Sequence, residues 1–513
     1  MNTPHARNPN DRCFRRLIVT PVALGALAMA CAGRPAAPPS TQHAKGLTGP
    51  RKTEVRDPAA WRSVQPEARP PSDFSYPVPK LTQLRNGLRI YVVERQGGPL
   101  NLSVVVDHGA SGESAMASGL ASMTAALMAE ATKRHNHRAL SELAESLGST
   151  LVGDANRDFV RLSIDTLPDN LTDGLTLLKE SLTEPAFDTG DFERLRQRKL
   201  DELRAERQNP TRLASLVGLR LLFGPDLGNP VGGCPSSISK LKPSDPRNWH
   251  EHWVTPKTTA IFVVGPVQAE TAIVQAERIF GSWKTKTPAS RNVPTVAALP
   301  EGKAVYVLDR PESVQSAIFA VQQFPRRMTE GFIAREHLDN LLGGLFTSRI
   351  NQNLREEHAY TYGARTMTVA AKDFGLFAVS TSVATDVTAP AMREILSELS
   401  AIRGRHPSKP ISGDELSRSR ADLVQTLGAH LENGHHVLAD TEQLFVHDLP
   451  VDYYTNYPHA VSMVSADDVA TESERLTPER MLFVIVGDAK KLQPELAAAG
   501  FTQLAAPNDC VDD

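Results

Sequence analysis

The sequence repeats itself, and this repeat constrains the fold more than any other feature. Residues 254–265 (VTPKTTAIFVVG) align without gaps on residues 476–487 (LTPERMLFVIVG), 222 positions later. Residues 158–165 (DFVRLSID) and 373–380 (DFGLFAVS) form a second pair, 215 positions apart. Self-similarity at a nearly fixed spacing indicates a structural unit that is used more than once. The sequence therefore predicts two copies of one domain of about 200 residues.

The two copies share a predicted order of elements, which indicates the fold class. Residues 102–106 (LSVVV) and 317–321 (AIFAV) are apolar strands at matching positions. The repeated strands at residues 158–165 and 373–380 are each followed by a helix-like stretch with apolar residues three and four positions apart, at residues 170–182 and 388–399. Strands interleaved with helix pairs favour an α+β fold, with one sheet and helices packed on one face in each half. Polar and apolar residues alternate only weakly along the strands, so we expect both sheets to be well covered.

Composition divides the chain into further segments. Residues 284–302 contain three prolines and small polar residues, as is typical of a linker. The two predicted domains are therefore residues 81–283 and 303–492, and residues 493–513 form a tail. Residues 31–80 are rich in proline without apolar periodicity, so we expect a tether that does not fold by itself.

The start of the chain has the pattern of an export signal. Three arginines precede an apolar run, residues 17–30, which is too short to cross a bilayer and ends at Cys31. The pattern resembles a bacterial lipoprotein signal, in which the cysteine takes the lipid before cleavage; an ordinary secretory signal is the alternative. We expect residues 1–30 to be removed. Lipid on Cys31 would then anchor the protein to the outer membrane. The protein would lie on the periplasmic side of the bacterial cell envelope.

Composition also excludes several classes of protein. The chain has 56 Lys and Arg against 59 Asp and Glu, a formal net charge of −3, so it has none of the basic excess of a nucleic-acid-binding protein. The four cysteines are scattered and form no CxxC pair, which argues against a disulfide framework or a zinc ribbon. Whether Cys234 and Cys510 pair is left open by their spacing alone.

Several stretches resemble the insulinase and pitrilysin family of metallopeptidases, and within it the two-domain subunits of the mitochondrial-processing-peptidase type. In the first domain the similar stretches are residues 84–94 (LRNGLRIYVVE), 119–121 (GLA), 140–148 and 223–233. In the second domain the similar stretch is residues 342–363 (LGGLFTSRINQNLREEHAYTYG). The resemblance extends over nearly all of both domains. It implies a processing-peptidase-like metallohydrolase fold and a part in peptide proteolysis.

The resemblance also shows where the zinc motif of the family is missing. Family peptidases carry His-x-x-Glu-His on the helix after Gly-Leu-Ala, because two histidines one turn apart can hold one Zn²⁺ and the glutamate can activate its bound water. Here Ser122, Ala125 and Ala126 stand at those three positions. The third ligand position falls on Glu202, and one carboxylate does not hold zinc; a solvated glutamate on a charged helix is the alternative interpretation. We expect no metal cofactor in this chain.

One further feature of the family is retained in the second domain. Family members place an arginine and a tyrosine seven residues apart there, and both reach the substrate. Arg355 and Tyr362 match this pair in identity, spacing and context. A guanidinium and a phenol can donate hydrogen bonds to the substrate carbonyl and to the oxyanion that develops on it. A structural capping role, or a relic without function, is the alternative for this pair.

These observations suggest a division of labour between subunits. The leading hypothesis is the zinc-less subunit of a heterodimeric metallopeptidase, inactive by itself, that gives Arg355 and Tyr362 to a zinc-bearing two-domain partner acting on unfolded peptides. The alternative is a non-enzymatic peptide-binding or scaffold lipoprotein that lacks such a partner. An unrelated catalytic site is not supported, because the sequence contains no nucleophile elbow and no phosphate-binding loop.

Overall fold

Two six-stranded sheets organise the chain, whose computed structural model describes residues 74–287, 302–405 and 407–504. The strands are β1 (Lys80–Gln83), β2 (Arg89–Glu94), β3 (Leu100–Val106), β4 (Val152–Ala155), β5 (Val160–Thr166), β6 (Thr259–Gly265), β7 (Ala304–Asp309), β8 (Gln315–Phe324), β9 (Ala364–Ala370), β10 (Gly375–Ala384), β11 (Leu482–Gly487) and β12 (Thr502–Gln503).

The helices of the first half are α1 (Leu120–Met128), α2 (His137–Ser146), α3 (Leu171–Thr183), α4 (Thr189–Glu206), α5 (Pro210–Leu227), α6 (Pro235–Lys240), α7 (Ser244–Trp253) and α8 (Ala269–Phe280). Those of the second half are α9 (Phe332–Asp339), α10 (Arg349–Asn351), α11 (Thr388–Ile402), α12 (Gly413–His430), α13 (Gly434–Val446), α14 (Tyr453–Met463), α15 (Ala466–Ser473) and α16 (Ala489–Ala498). No helix in these ranges is long and apolar enough to cross a membrane.

The two sheets share the same topology in five of their six strands and differ in one edge strand, since β1 is antiparallel to β2 while β12 is parallel to β7. The first has the order β1-β2-β6-β3-β5-β4 and the second the order β12-β7-β11-β8-β10-β9. In both, the third strand in this order runs parallel to one neighbour and antiparallel to the other: β6 beside β2 and β3, and β11 beside β7 and β8. The repeated segments form β3 and β8, β5 and β10, and β6 and β11, which occupy equal places. The predicted duplication and the α+β class are therefore confirmed.

Helices of each half cover one face of their own sheet. We call the first and second halves of the chain the first and second lobes. In the first lobe Leu102 and Val104 of β3 share a buried apolar cluster with Leu175 of α3. In the second lobe Ile318 of β8 lies in a buried cluster with Ile395 of α11. These two clusters are the main cores, and burial of such side chains contributes about 25 cal/mol for each Å² of apolar surface removed from water.

The other face of each sheet is covered by a helix from the opposite half. Helix α13 lies on the first sheet, where Phe445 packs edge-on against Phe262 of β6 with ring centroids 6.1 Å apart. Helix α5 lies on the second sheet, where Val217 and Phe223 share a buried cluster with Phe319 of β8. The expectation of helices on one face therefore describes only half of the packing. Because both faces are buried, the strands do not need to alternate polar and apolar residues.

The folded part is longer than predicted at both ends. Tyr76 is buried and donates a hydrogen bond to Asp440 of α13, and β1 begins at Lys80, so these residues belong to the folded part and not to the tether predicted for residues 31–80. The tail predicted from residue 493 starts inside α16 and contains β12, which pairs with β7. A single buried tyrosine and a two-residue strand are too short to produce apolar periodicity, which is why the sequence did not reveal them.

Two of the predictions concern cysteines. Cys31 and the signal before it lie outside the described residues. Cys234, directly before α6, is buried and takes part in a disulfide bond. Cys510 also lies outside the described residues.

Candidate functional site

Helix α1 carries the three positions at which the zinc motif of the family would stand. The helix begins after Gly119, whose φ of 92° lies in the left-handed region that favours glycine. The buried carboxyl group of Glu113 accepts hydrogen bonds from the backbone N–H groups of Gly119 (2.8 Å) and Ala121 (2.5 Å). It thereby satisfies backbone donors that the first helical turn leaves without a partner, which fixes where α1 starts.

The motif positions keep the helical geometry but not the chemistry of a metal site. Ser122 and Ala126 are one turn apart on a half-buried face of α1, and Ala125 is fully buried. The carbonyl of Ala125 packs closely against Gly153 of β4. A Cβ atom added to Gly153 would collide with this carbonyl oxygen. Residues at i and i+4 share one face of a helix, but the side chains there are a hydroxymethyl and a methyl group.

Glu202, at the third ligand position, lies on α4 and is about half exposed. Its carboxylate is 3.4 Å from the Lys199 ammonium and 3.9 Å from the Arg198 guanidinium. Exposed pairs of this kind three and four residues apart on a helix contribute a few tenths of a kcal/mol. The structure therefore places Glu202 in the charge pattern of its own helix.

The residues at these positions do not fit zinc. A structural or catalytic zinc site needs at least three histidine, cysteine or carboxylate ligands, and the equivalent positions here supply one carboxylate. Across residues 74–287, 302–405 and 407–504, no group of three or more His, Cys, Asp and Glu side chains is arranged to hold a metal ion. No chemical step of this chain is therefore assigned to zinc.

An ion-pair cluster that the sequence did not reveal lies beside the degenerate motif. The buried carboxylate of Glu130 is 2.6 Å from Arg194, 2.8 Å from His137 and 3.4 Å from Arg198. Glu130, His137 and Arg198 line a cavity of about 280 Å³ together with Ala126. The only signal in the sequence was the four-residue spacing of the two arginines on α4, which puts both on one helical face.

Arg355 and Tyr362 both line one cavity of about 440 Å³ in the second lobe. Arg355 lies in a π-helical turn, Gln352–Glu357, and its guanidinium is 4.4 Å from the centre of the Phe346 ring and 3.4 Å from Glu356. Tyr362 is 94% exposed, and its hydroxyl makes no hydrogen bond to the described residues. The structure thus brings the two predicted donors to the same cavity, with Tyr362 open to solvent.

The backbone around this cavity is closely fixed. Gly343 packs against Thr366 of β9 so tightly that a Cβ atom would collide with the Thr366 backbone. The Asn351 side chain donates to the Phe346 carbonyl (2.6 Å) and accepts from the Ala364 N–H (3.1 Å), tying the two sides of the cavity together. A preorganised frame of this kind holds donors in place without reorganisation when a ligand arrives.

The zinc-motif positions and this cavity lie in different lobes and share no lining residue. Within the described ranges the chain therefore does not combine a metal site with the two donors. A reaction that needs both would have to take one of them from elsewhere.

Comparisons with known proteins agree with this architecture. Residues 95–218 match the family model described as insulinase (peptidase family M16), and residues 240–421 match the model described as the peptidase M16 inactive domain. An uncharacterized zinc protease of Mycobacterium leprae is 22% identical over 326 residues, which is 63% of this chain and 73% of that protein. A probable mitochondrial-processing peptidase subunit beta of Arabidopsis thaliana is 22% identical over 378 residues, 70% of this chain and 68% of that one.

Solved structures with this fold include two bacterial proteins. The peptidase M16 inactive domain from Pseudomonas fluorescens superimposes with a TM-score of 0.73 at 20% identity, over 80% of this chain and 98% of that one. A protease from Helicobacter pylori superimposes with a TM-score of 0.74 at 18% identity, over 80% of this chain and all of that one. Together, the two matched models, the duplicated sheets and these folds show that the chain belongs to the insulinase (M16) family of peptidases.

Proposed function

We propose that this chain is the zinc-less subunit of a heterodimeric M16 peptidase, and that Arg355 and Tyr362 act in a site completed by a zinc-bearing partner. One observation carries the proposal. The first lobe has Ser122, Ala125 and Ala126 where the metal ligands and the base of the family would stand, while the second lobe presents a guanidinium and a free phenol in one cavity.

The geometry of the pair suits the binding of a substrate carbonyl. The Arg355 guanidinium lies 4.4 Å from the centre of the Phe346 ring, a cation–π contact that leaves its N–H groups able to donate. The Tyr362 hydroxyl is free to donate as well. Two donors that converge on one oxygen stabilise the negative charge that develops there during peptide hydrolysis.

The surroundings of the cavity have the composition of a protein interface. Phe346 is 64% exposed and Met367 is 45% exposed, beside the almost completely exposed Tyr362. Aromatic residues, methionine and arginine are enriched where protein surfaces meet. Large apolar side chains that are exposed close together mark an interaction site more often than ones that are exposed singly. A partner subunit and an unfolded peptide would cover these side chains.

The test is reconstitution with a two-domain chain that carries His-x-x-Glu-His. We expect the complex to cleave an unfolded reporter peptide, and Arg355→Ala and Tyr362→Phe each to lower kcat by about 10²-fold or more, the usual effect of removing one oxyanion donor. Tyr360→Phe, two residues from Tyr362 in the same loop, is the matched control and should keep the activity. Arg138→Ala, on an exposed face of α2, is the control for the loss of an arginine.

Size-exclusion chromatography separates a catalytic effect from a failure to assemble, because the variants should still form the heterodimer. Full activity in Arg355→Ala and Tyr362→Phe complexes would show that the pair is not used. Recovery of no zinc-bearing chain from the native envelope would favour the alternative of a scaffold or peptide-binding lipoprotein.

A further inference from the structure

A second cavity of about 440 Å³ lies between α9, α12, α13, α14 and β9. It shares no lining residue with the cavity of Arg355 and Tyr362 and has no part in the function proposed above. Its lining brings together four aromatic rings, three carboxyl groups, two imidazoles and one guanidinium. Because buried polar groups are costly unless they are paired, this composition needs a physical account.

The aromatic wall already holds a cation. The rings of Tyr453 and Tyr454 are perpendicular with centroids 5.1 Å apart, and Tyr457 lies 6.1 Å from Tyr453. The Arg327 guanidinium lies 3.6 Å from the centre of the Phe332 ring and donates a hydrogen bond to the Tyr453 hydroxyl (2.9 Å). Aromatic faces attract cations through their quadrupoles, so this wall suits an ammonium or guanidinium group.

The carboxyl groups outnumber the one guanidinium and keep free acceptor positions. Asp422 accepts a hydrogen bond from the Asn340 amide (3.0 Å). Asp440 accepts from the Tyr76 hydroxyl (2.5 Å) and lies 2.7 Å from the His430 imidazole. A carboxylate can accept about four hydrogen bonds. Both aspartates could therefore receive further N–H donors.

Glu336 is the third carboxyl group, and Tyr457 donates to it (3.0 Å). Burial raises the pKa of Glu336 to about 7, so near neutral pH this group carries only part of a negative charge. Asp422 and Asp440 are therefore the main negative charges of the cavity.

His447 supplies an independent sign that a ligand is missing. It lines the cavity, the residue is 6% exposed, and its Nδ1 atom is buried without a hydrogen-bond partner among the described residues. Burial, with the nearby charges of Arg327 and Lys372, lowers the pKa of His447 to about 4, so the ring is neutral at neutral pH. A buried polar atom without a partner costs about 1–3 kcal/mol, which a bound ligand would recover.

We propose that this cavity binds an organic cation, an alkylammonium or guanidinium group on a short aliphatic stem. Asp422 and Asp440 would receive its N–H groups, the tyrosine rings would cover its stem, and His447 Nδ1 would gain a polar neighbour. The cation could belong to a free amine or to a lysine or arginine side chain of a peptide. Both sources present the same charged group on an aliphatic stem. They differ in whether that stem is attached to a peptide backbone.

Calorimetric titration of the purified full chain tests the proposal. The probes are agmatine and cadaverine as free cations, and the acetylated amides of arginine and lysine as side-chain mimics. Acetyl-norleucine amide has nearly the shape of the lysine probe without its charge and is the matched control. Binding of the free amines alone, or of the side-chain mimics as well, identifies the source and supports the proposal. Equal binding of the norleucine probe, or no cation binding at millimolar concentration, would overturn it.

Variants place the ligand in the cavity. Asp422→Asn should weaken cation binding about tenfold, the loss of one charged hydrogen bond, while Asp467→Asn on the exposed surface of α15 should not. Arg327→Met removes the competing positive charge and should tighten binding; weaker binding would mean that the ligand is anionic and would overturn the proposal. Thr426→Trp, at an exposed position of the lining, should block entry without touching the buried charges, so unchanged affinity in this variant would also contradict the site.

Discussion

Glu113 shows how a single residue sets the geometry of the degenerate site. Its carboxyl group is buried at the start of α1 and accepts hydrogen bonds from two backbone N–H groups of that helix. Burial raises the pKa of Glu113 to about 8, an effect that these two donors and the Arg157 charge only partly oppose. The folded state therefore holds a proton on Glu113 at pH values where the unfolded chain has lost it.

This difference predicts a dependence of stability on pH. Because the folded-state pKa lies above the ordinary value of 4.5, the stabilisation from protonated Glu113 is complete below about pH 4.5 and is lost as the pH rises through about 8. We expect the free energy of unfolding to fall more steeply between about pH 5 and about pH 8 in the wild-type chain than in Glu113→Gln, by at most about 1.4 kcal/mol per pH unit.

Urea denaturation at several pH values measures this slope. Glu142→Gln, a matched change of an exposed glutamate on α2, controls for the loss of one carboxyl group. Parallel pH profiles for the wild-type chain and Glu113→Gln would show that Glu113 does not titrate between the two states in this range.

At the residue scale, the sequence revealed what depends on local spacing and missed what depends on contacts between elements. Ser122 and Ala126 could be recognised as non-ligands because a metal motif lies within one helix. Glu130 could not be recognised, because its partners Arg194 and Arg198 come from α4 and its burial is a property of the folded chain.

Among the elements, α5 packs closely against the sheet of the other half. Gly218 faces the second sheet, where a Cβ atom would lie 2.7 Å from a ring carbon of Phe319 in β8. The glycine is thus required by the distance between helix and strand. An alanine at an ordinary position inside a helix is favoured over glycine by about 1 kcal/mol, so the two effects oppose each other here.

We expect the steric effect to be larger. Gly218→Ala should lower the free energy of unfolding, because overpacking of a dense core costs about 1–3 kcal/mol. Gly413→Ala is the matched control: its Cβ atom, in the first residue of α12, would meet no atom within 4 Å, so stability should be unchanged or slightly higher. Chemical denaturation of both variants gives the comparison, and a Gly218→Ala chain as stable as Gly413→Ala would contradict this close contact.

The elements themselves were well predicted where their pattern is local. The stretches expected at residues 170–182 and 388–399 are α3 (Leu171–Thr183) and α11 (Thr388–Ile402), because their apolar residues follow the helical period. The crossing of α5 and α13 to the opposite sheets was not predicted. An apolar helix face shows that a helix packs against something but does not name its partner.

For the whole molecule, the exchange of α5 and α13 makes each lobe depend on the other. Phe445 of α13 completes the packing of the first sheet, and Phe223 of α5 completes that of the second. A polar contact also joins the lobes, since the buried carboxylate of Glu442 on α13 accepts hydrogen bonds from Ser103 (2.6 Å) and Arg161 (3.1 Å) of the first sheet. The duplication was visible in the sequence because buried strands repeat; the mutual covering arises only in three dimensions.

The proposed function depends on the fact that the zinc-motif positions and the Arg355/Tyr362 pair lie in different lobes. The first lobe lacks the side chains for zinc, and the second presents Arg355 and Tyr362 at an open cavity. Under the proposal, the chain would gain activity by assembly, because a partner would supply the metal ligands that Ser122 and Ala126 do not.

The most direct test measures zinc content and cleavage of an unfolded peptide for the purified chain alone and for its complex with a zinc-bearing two-domain subunit. We expect the chain alone to hold no stoichiometric zinc and to be inactive, and the complex to hold one zinc per heterodimer and to lose activity with a chelator. Stoichiometric zinc in the chain alone, together with chelator-sensitive cleavage, would contradict the proposal that it is the zinc-less subunit.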